Sequence, residues 1–441
     1  MKNKWFILCL MLAGSQAFAQ QFTLEEAKEY ALEHNLSVIN ANHDATIAQH
    51  QITETRGLGL PQVNFEGNFN HFVNLPVQVM DASFFNPMAP PGSTVAFRAG
   101  TDYSASGSLT VGQLLFNGSY VVGLQASQKF AEFQTTAGNL TKEEVVFQVI
   151  QAYELATIAK ENLVFVDSMV VVTERMIEQQ QVYFDLGLLL PEDIDQLNIS
   201  LLSAKNAQLS AKLQYDNSIN LLKFAMGYPM DDPIETTNTS EELMSKSAVS
   251  TGNLSQNIGM DLAERQVVLS ELNLRNMKAK SLPSVNAFFS QTYNAYRTEF
   301  NFFADQPWYP QTVWGLSVQV PIFSGLTRRA QVRQAEIKLL KDENSRHQMA
   351  ENLKLQEIQA KNALTGAQSK FDLQKENVEL AQRIYQNAAD AKEIGKGNAI
   401  LVTQKYNQLI AAQAQYLSSQ IELFQAKLNL DKLYNKLLPN Q

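Results

Sequence analysis

His34, His43 and His50 are the residues of this 441-residue chain whose type and spacing come nearest to metal chemistry. His43 and His50 stand seven apart and so share one face of a helix. A zinc or copper centre needs three or four convergent ligands, and one histidine pair falls short of that number. All three read as polar residues facing solvent along that helix. Ser, His and Asp all occur, but nothing places a nucleophile beside a base. The sequence has neither a glycine-rich phosphate loop nor an HExxH motif. No catalytic residue, cofactor or metal site is expected, and the chain does not read as an enzyme. Asp193 and Asp195, just after Pro191, suit the start of a helix, where carboxylates meet the positive end of the dipole.

The elements that position these residues begin with a leader. Lys2 and Lys4 precede an apolar run from Trp5 to Ala13, and Ala17, Phe18 and Ala19 precede Gln20. Residues 1–19 read as a signal peptide, its apolar run too short to span a bilayer. The single cysteine, Cys9, lies inside that run without the small neighbour that an acylation site needs. The exported chain therefore has no disulfide and no thiolate zinc site. The formal net charge is −9, with 44 acidic residues against 35 basic ones, two of which go with the leader. That balance argues against a nucleic-acid partner.

The chain then repeats itself. Leu109, Thr110, Val111 and the later Leu115, Phe116, Asn117 and Gly118 are echoed by Leu316, Ser317, Val318 and then Ile322, Phe323, Ser324 and Gly325. Leu60, Pro61, Val63 and Asn64 recur as Leu282, Pro283, Val285 and Asn286, and the segment after Gly187 recurs after Gly395. Two tandem units account for this order. The first covers 20–228: a helix, a β-hairpin over 61–116, a long helix over 118–186 and a return helix over 192–228. Residues 229–255, rich in Pro, Asp, Thr and Ser, form an irregular equatorial linker. The second unit covers 256–437: a helix, a hairpin over 283–323, a long helix over 325–394 and a return helix over 399–437. A short tail, 438–441, ends the chain.

The periodicities carry these assignments. Thr23 and Glu26 form a capping box for a helix running to Leu58. Val63, Phe65, Gly67, Phe69 and His71 alternate with Asn64, Glu66, Asn68 and Asn70, and Tyr103 to Val111 alternate likewise, the signature of strands with one apolar and one polar face. The connection over 74–101 reads as loop. The region 118–186 lacks proline and spans about 100 Å as one helix. Val145, Val149, Ala152, Ala156, Ala159, Leu163, Val166, Val170, Thr173, Ile177, Gln180 and Phe184 mark a coiled-coil seam along it. Leu353 to Ala388 carry the same register with one inserted residue, and Ile410, Ala414, Leu417, Ile421, Phe424 and Leu428 mark the seam of the last helix.

After the leader no stretch of about 18 apolar residues remains, so any membrane crossing is made by strands. Four strands per chain cannot close a barrel, for which about eight is the minimum, and open edges in lipid leave backbone groups unsatisfied. Three chains would supply twelve.

At this point the sequence resembles the outer-membrane efflux protein family, the TolC-like channel-tunnels. The duplicated Leu-Pro-x-Val-Asn segment, the Leu115 to Gly118 and Ile322 to Gly325 exits, and the segments after Gly187 and Gly395 carry the resemblance, which extends from about Phe22 to Leu437. It implies an α plus transmembrane β fold. Four strands per chain join a trimeric twelve-stranded outer-membrane barrel, continued by a periplasmic α-helical coiled-coil barrel. It implies a homotrimer in outer-membrane lipid with most of its mass in the periplasm. It further implies a passive exit duct of a tripartite efflux or type I secretion system, docked to a periplasmic adaptor and served by an inner-membrane transporter.

The same resemblance places the constriction at the helical tips, with an acid six positions after the tip glycine. Asp193 stands there in the first unit, while Leu401 holds the matching place in the second. The implied gate is mixed: Asp193 and Asp195 favour cations, and Leu401 with Gln404 completes the ring. Leu186, Gly187 and Leu188, with Ile394, Gly395 and Lys396, are the implied adaptor contacts. Aromatics near the strand ends, among them Phe65, Phe69, Tyr103, Tyr293, Trp308 and Trp314, suit membrane-surface girdles. The loops over 83–97 and 300–309 face outward and, from their apolar content, fold over the mouth. The competing reading is a trimeric coiled-coil stalk or tether, which needs a ligand-binding head that the two units leave no room for.

Overall fold

The computed structural model describes residues 20–246, 251–394, 396–397 and 399–438. The leader over 1–19, most of the tail and Gly395 lie outside the described residues. In chain order the elements are β1 (Gln20–Phe22), α1 (Leu24–His34), α2 (Leu36–Gly57), β2 (Gln62–His71), β3 (Val77–Asp81), β4 (Thr94–Arg98), β5 (Tyr103–Asn117), α3 (Gly118–Asp185), α4 (Pro191–Met226), β6 (Ile234–Thr236), α5 (Ser240–Lys246), α6 (Ile258–Ala279), β7 (Ser284–Arg297), β8 (Tyr309–Gln319), α7 (Thr327–Glu393) and α8 (Ala399–Leu433). Helix predominates. No helix among the described residues is long and apolar enough to cross a membrane.

The chain divides into two compact units. One comprises 46–132 with 265–343, and its centre is a four-stranded antiparallel sheet in the order β2-β5-β7-β8. Beside the sheet, α2 and the start of α3 share a small core of Ala48, Ile52 and Ala131. A polar staple joins α6 to α7, where the Asp342 carboxylate accepts from the Ser270 hydroxyl, from Lys338 at 3.0 Å and from Gln266 at 3.3 Å.

The other unit comprises 1–45, 133–264 and 344–441 and holds the remaining helices. The seam read from sequence is its buried stripe: Val145, Val149, Ala152, Ala156, Ala159, Val166, Val170, Thr173 and Gln180 on α3 are all buried. On α7, Leu353, Leu364, Ala367, Tyr385 and Ala388 are buried in the matching register. On α8 the expected seam holds at Phe424 and Leu428, which are buried, and differs before them. Val402, Tyr406, Leu409, Ala412, Ser419, Leu423, Ala426, Leu430 and Leu433 are buried, whereas Ala414 is exposed. Both stripes step by threes and fours, and the larger Tyr and Leu side chains fill the core.

Three further elements differ from the sequence reading. The first helix breaks at Asn35, whose Oδ1 accepts the Ser37 N–H at 2.8 Å and whose amide donates to the Ala225 carbonyl at 2.9 Å. The break receives Gly227, the left-handed cap of α4 (φ 72°), where a Cβ would lie 2.9 Å from the Asn35 Cα. The linker is only partly irregular, since β6 pairs in parallel with β1. Fully buried Tyr153 ties the two together: its hydroxyl donates to the Phe22 carbonyl at 2.8 Å and accepts the Thr237 N–H at 3.2 Å. The 74–101 connection contains a second small hairpin, β3 with β4. It forms because Val77, Val79, Val95 and Phe97 are strong strand formers flanking a proline-rich turn.

Candidate functional site

The strand register sorts the sheet into two chemically distinct faces. Residues directly opposite each other share a face, so the pairings Phe65 with Leu109, Val63 with Val111, Val111 with Phe289, Phe289 with Trp314, Ala287 with Leu316 and Val285 with Val318 build one apolar surface. Many of these side chains stand exposed, among them Phe65, Trp314, Leu316 and Val318. The other face aligns Asn64, Asn68 and Asn70 with Thr110, Ser106 and Ser104, then with Ser290, Asn294 and Tyr296. Hydroxyl bonds run across it, Ser108 to Thr292 at 2.9 Å and to Ser290 at 3.3 Å. Glu66 is its one charged residue along the paired strands. The edge strands β2 and β8 each pair on one side only among the described residues.

Around the far ends of the strands the aromatics gather on the apolar face. Ala105 and Ala295 lie side by side there next to Phe69. Their small side chains leave a hollow that Phe300 and Phe302 fill, with ring centroids 5.8 and 5.5 Å from Phe69. Ala295 is fully covered as a result. Tyr103 stacks on His71 at 4.3 Å, and Trp308 closes against Phe302 at 6.5 Å. Arg297 is buried beneath them, its guanidinium 5.8 Å from the Phe302 centroid and donating to the Tyr296 and Pro307 carbonyls. The 300–309 loop, expected to face outward, thus packs on the sheet through its aromatics. Its Phe300 and Phe302 lie against the apolar face, because that is where the alanines leave space.

At the turn between α3 and α4 the chain reverses through Gly187 (φ 73°), with the Gly187 N–H bonded to the Phe184 carbonyl at 2.8 Å and the Leu188 N–H to the Tyr183 carbonyl at 3.0 Å. A left-handed residue there satisfies the last carbonyls of α3, and glycine adopts it without strain. Leu186, Leu188 and Leu190 stand exposed around it. Pro191 opens α4, and the Asp193 carboxylate accepts the Leu190 N–H at 3.1 Å. Asp193 is half-buried and Asp195 exposed.

Between α7 and α8 the Lys396 N–H bonds to the Ala391 carbonyl at 2.8 Å, and Ile394 and Lys396 are exposed. Leu401 and Gln404 project from the exposed side of the first turns of α8, while Val402, between them, is fully buried. Val402 belongs to a core that also takes Val170 of α3, Ala204 of α4, Tyr385 and Ala388 of α7, and Tyr406 and Leu409 of α8. The two turns therefore rest on one shared core. Lys205 with Glu174 at 2.8 Å and Gln208 with Asp167 at 2.8 Å hold α4 to α3 above them.

His34 stacks on Tyr30 at 4.0 Å and bonds to its carbonyl, and His43 and His50 are exposed. No cluster of potential metal ligands occurs among the described residues. Sequence reasoning passed over two buried carboxylates of α3. Glu143 lines a cavity of about 540 Å³ with Asn257, Met349, Leu353 and Lys432, and its Oε1 has no hydrogen-bond partner among the described residues. Burial pushes its carboxyl up to about 7, opposed by nearby Lys432 and assisted by Glu144. Burial pushes Glu154 up to about 10, opposed by Lys427. Glu143 stands two residues before Val145 of the seam and Glu154 midway between Ala152 and Ala156, so their place near the buried stripe is written in the sequence.

Residues 254–436 match the model of the family described as outer membrane efflux protein. Among solved structures the chain is similar to CusC (16% identity, 93% of this chain and 91% of that one, TM-score 0.73). It is also similar to VceC of Vibrio cholerae (14%, 93% and 95%, 0.71) and to the CmeC channel of Campylobacter jejuni (14%, 94% and 85%, 0.72). At such identities the likeness is one of fold. No curated protein matches the chain in sequence.

Proposed function

We propose that this chain belongs to the outer-membrane efflux protein family, whose model matches residues 254–436, and works as an outer-membrane exit duct. Three copies close a twelve-stranded barrel, and the helices continue it into the periplasm as a tunnel. The observation that carries the reading is the four-stranded sheet itself, with an exposed apolar face, a hydroxyl- and amide-lined face and two open edges. An open edge in lipid costs several kcal/mol for each unsatisfied backbone group, so the edges must meet edges of other copies. The apolar face then meets lipid and the polar face lines the lumen.

The duct is passive. It accepts substrates from an inner-membrane transporter through a periplasmic adaptor, which docks at the turns of Leu186, Gly187 and Leu188 and of Ile394, Gly395 and Lys396. Asp193 and Asp195, with Leu401 and Gln404, constrict the tunnel just above. The duplication gives each chain two similar wedges, so a trimer approaches sixfold symmetry. Conductance of the purified full-length protein in planar bilayers tests the reading. Stepwise currents of uniform size are expected, and their complete absence would favour a stalk or tether.

A further inference from the structure

The two hairpins differ in how they leave the sheet. In the first, β5 runs directly into α3 at Gly118. In the second, seven residues separate β8 from α7, and they turn through Gly325 (φ 58°) and Leu326 (φ 67°). A leucine in the left-handed region is strained, and its side chain is left exposed rather than buried. Val320 extends the apolar face of Val318 and Leu316 past the strand end, and Ile322 (94% exposed), Phe323 (82%) and Leu326 continue it as exposed apolar groups.

Arg328, Arg329 and Arg333 follow immediately, at the N-terminus of α7. Cations are unfavourable at that end of a helix dipole. Neither Arg328 nor Arg329 pairs with a carboxylate among the described residues; Arg328 makes a single 3.4 Å bond to the Pro321 carbonyl. Arg333 reaches Glu336 at 2.9 Å, and Glu336 is shared with Lys278 at 3.9 Å. The arginines border an open hollow of about 900 Å³ together with Ser281, Leu326 and Glu336. At the matching places of the first copy stand Val121, Val122 and Ala126. In an acidic chain this is a local concentration of positive charge attached to an apolar strip.

We propose that this segment is a lipid-anchoring site. Ile322, Phe323 and Leu326 enter the bilayer at the periplasmic boundary of the strands, and Arg328, Arg329 and Arg333 bind the phosphates of anionic phospholipid headgroups there. Charge complementarity selects the headgroup, since guanidinium forks match phosphate oxygens. Continuity with the apolar face of β8 places the strip at the membrane edge. The inference rests on the outer-membrane placement proposed above.

The test is native mass spectrometry of the full-length protein from micelles doped equally with phosphatidylglycerol and phosphatidylcholine. An arginine beside an anionic surface contributes about fivefold in partition. The wild type should therefore retain phosphatidylglycerol with at least tenfold preference, and Arg328→Gln with Arg329→Gln and Arg333→Gln should abolish it. Replacing all three by lysine should keep most of it. An unchanged preference in the glutamine variant would overturn the proposal. So would assembly loss in that variant with retention in the lysine one, since the arginines would then be holding a neighbouring copy. A wild type that conducts without any lipid preference defeats only this proposal, whereas one that neither assembles nor conducts defeats the placement on which it rests.

Discussion

The Asp193 carboxylate accepts the backbone N–H of Leu190 at 3.1 Å, so the residue nominated for a gate also fastens the start of α4. The two roles separate by substitution. Asn can accept the same bond without the charge, so Asp193→Asn with Asp195→Asn should leave thermal stability nearly unchanged while lowering the cation-to-anion permeability ratio in planar bilayers. Asp193→Ala should cost about 0.5–2 kcal/mol of local helix stability, read as faster hydrogen exchange over 188–196. An unchanged permeability ratio in the double Asn variant would leave capping as the role of Asp193.

The aromatic cluster makes a separate prediction. Phe302 touches Phe69, Phe300, Trp308 and the Arg297 guanidinium, and aromatic pairs contribute about 0.5–1.5 kcal/mol each beyond area burial. Phe302→Ala should free the 298–308 loop, shifting Trp308 fluorescence to the red and raising hydrogen exchange there. Single-channel conductance should stay the same if the loop rests on the apolar face outside the lumen. A conductance increase would place the loop across the mouth instead.

Which features were legible in sequence follows from how local their causes are. The strand faces follow from a period of two carried by Asn, Ser and Thr opposite Phe, Leu and Val, and the register across β2, β5 and β7 keeps it unbroken as far as a bulge between Leu114 and Phe116. The α3 seam was legible because small residues occupy it almost throughout. The α8 seam was legible only in part: Phe424 and Leu428 are buried as the sequence suggests, but Ile410, Leu417 and Ile421 offer a second apolar stripe, and packing against α3 and α7 selects Val402, Tyr406 and Leu409. The pairing of β1 with β6 was invisible for a stronger reason. Three-residue strands more than two hundred positions apart have no periodicity, and it is Tyr153, on a helix between them, that binds their neighbourhood together.

The two faces of the sheet predict opposite outcomes for the same substitution. Leu316→Arg places a charge on the face assigned to lipid, at a cost of about 2–4 kcal/mol near the bilayer midplane. It should sharply reduce recovery of assembled protein from outer-membrane fractions. Ser106→Arg, between Asn68 and Asn294 on the polar face, should assemble normally and shift permeability toward anions. Equal tolerance of both would contradict the assignment of faces.

The buried carboxylates fix the sign of a pH dependence. Glu143 and Glu154 hold their protons more tightly when folded, up to about 7 and about 10 against an ordinary 4.5. Between those values the native state binds more protons than the unfolded chain, so stability falls as pH rises. The share of Glu143 is fully present below about 4.5 and lost by about 7, while that of Glu154 continues to fall beyond it. Thermal unfolding followed by circular dichroism should give a lower midpoint at pH 8 than at pH 5. Glu143→Gln stays neutral at both and should recover part of the difference at pH 8 without raising the midpoint at pH 5. Glu154→Gln should flatten the remaining slope between pH 7 and 9. A wild-type midpoint that rises over the same interval would mean that Lys432 and Lys427 outweigh desolvation, and that both carboxylates are ionised in the folded chain.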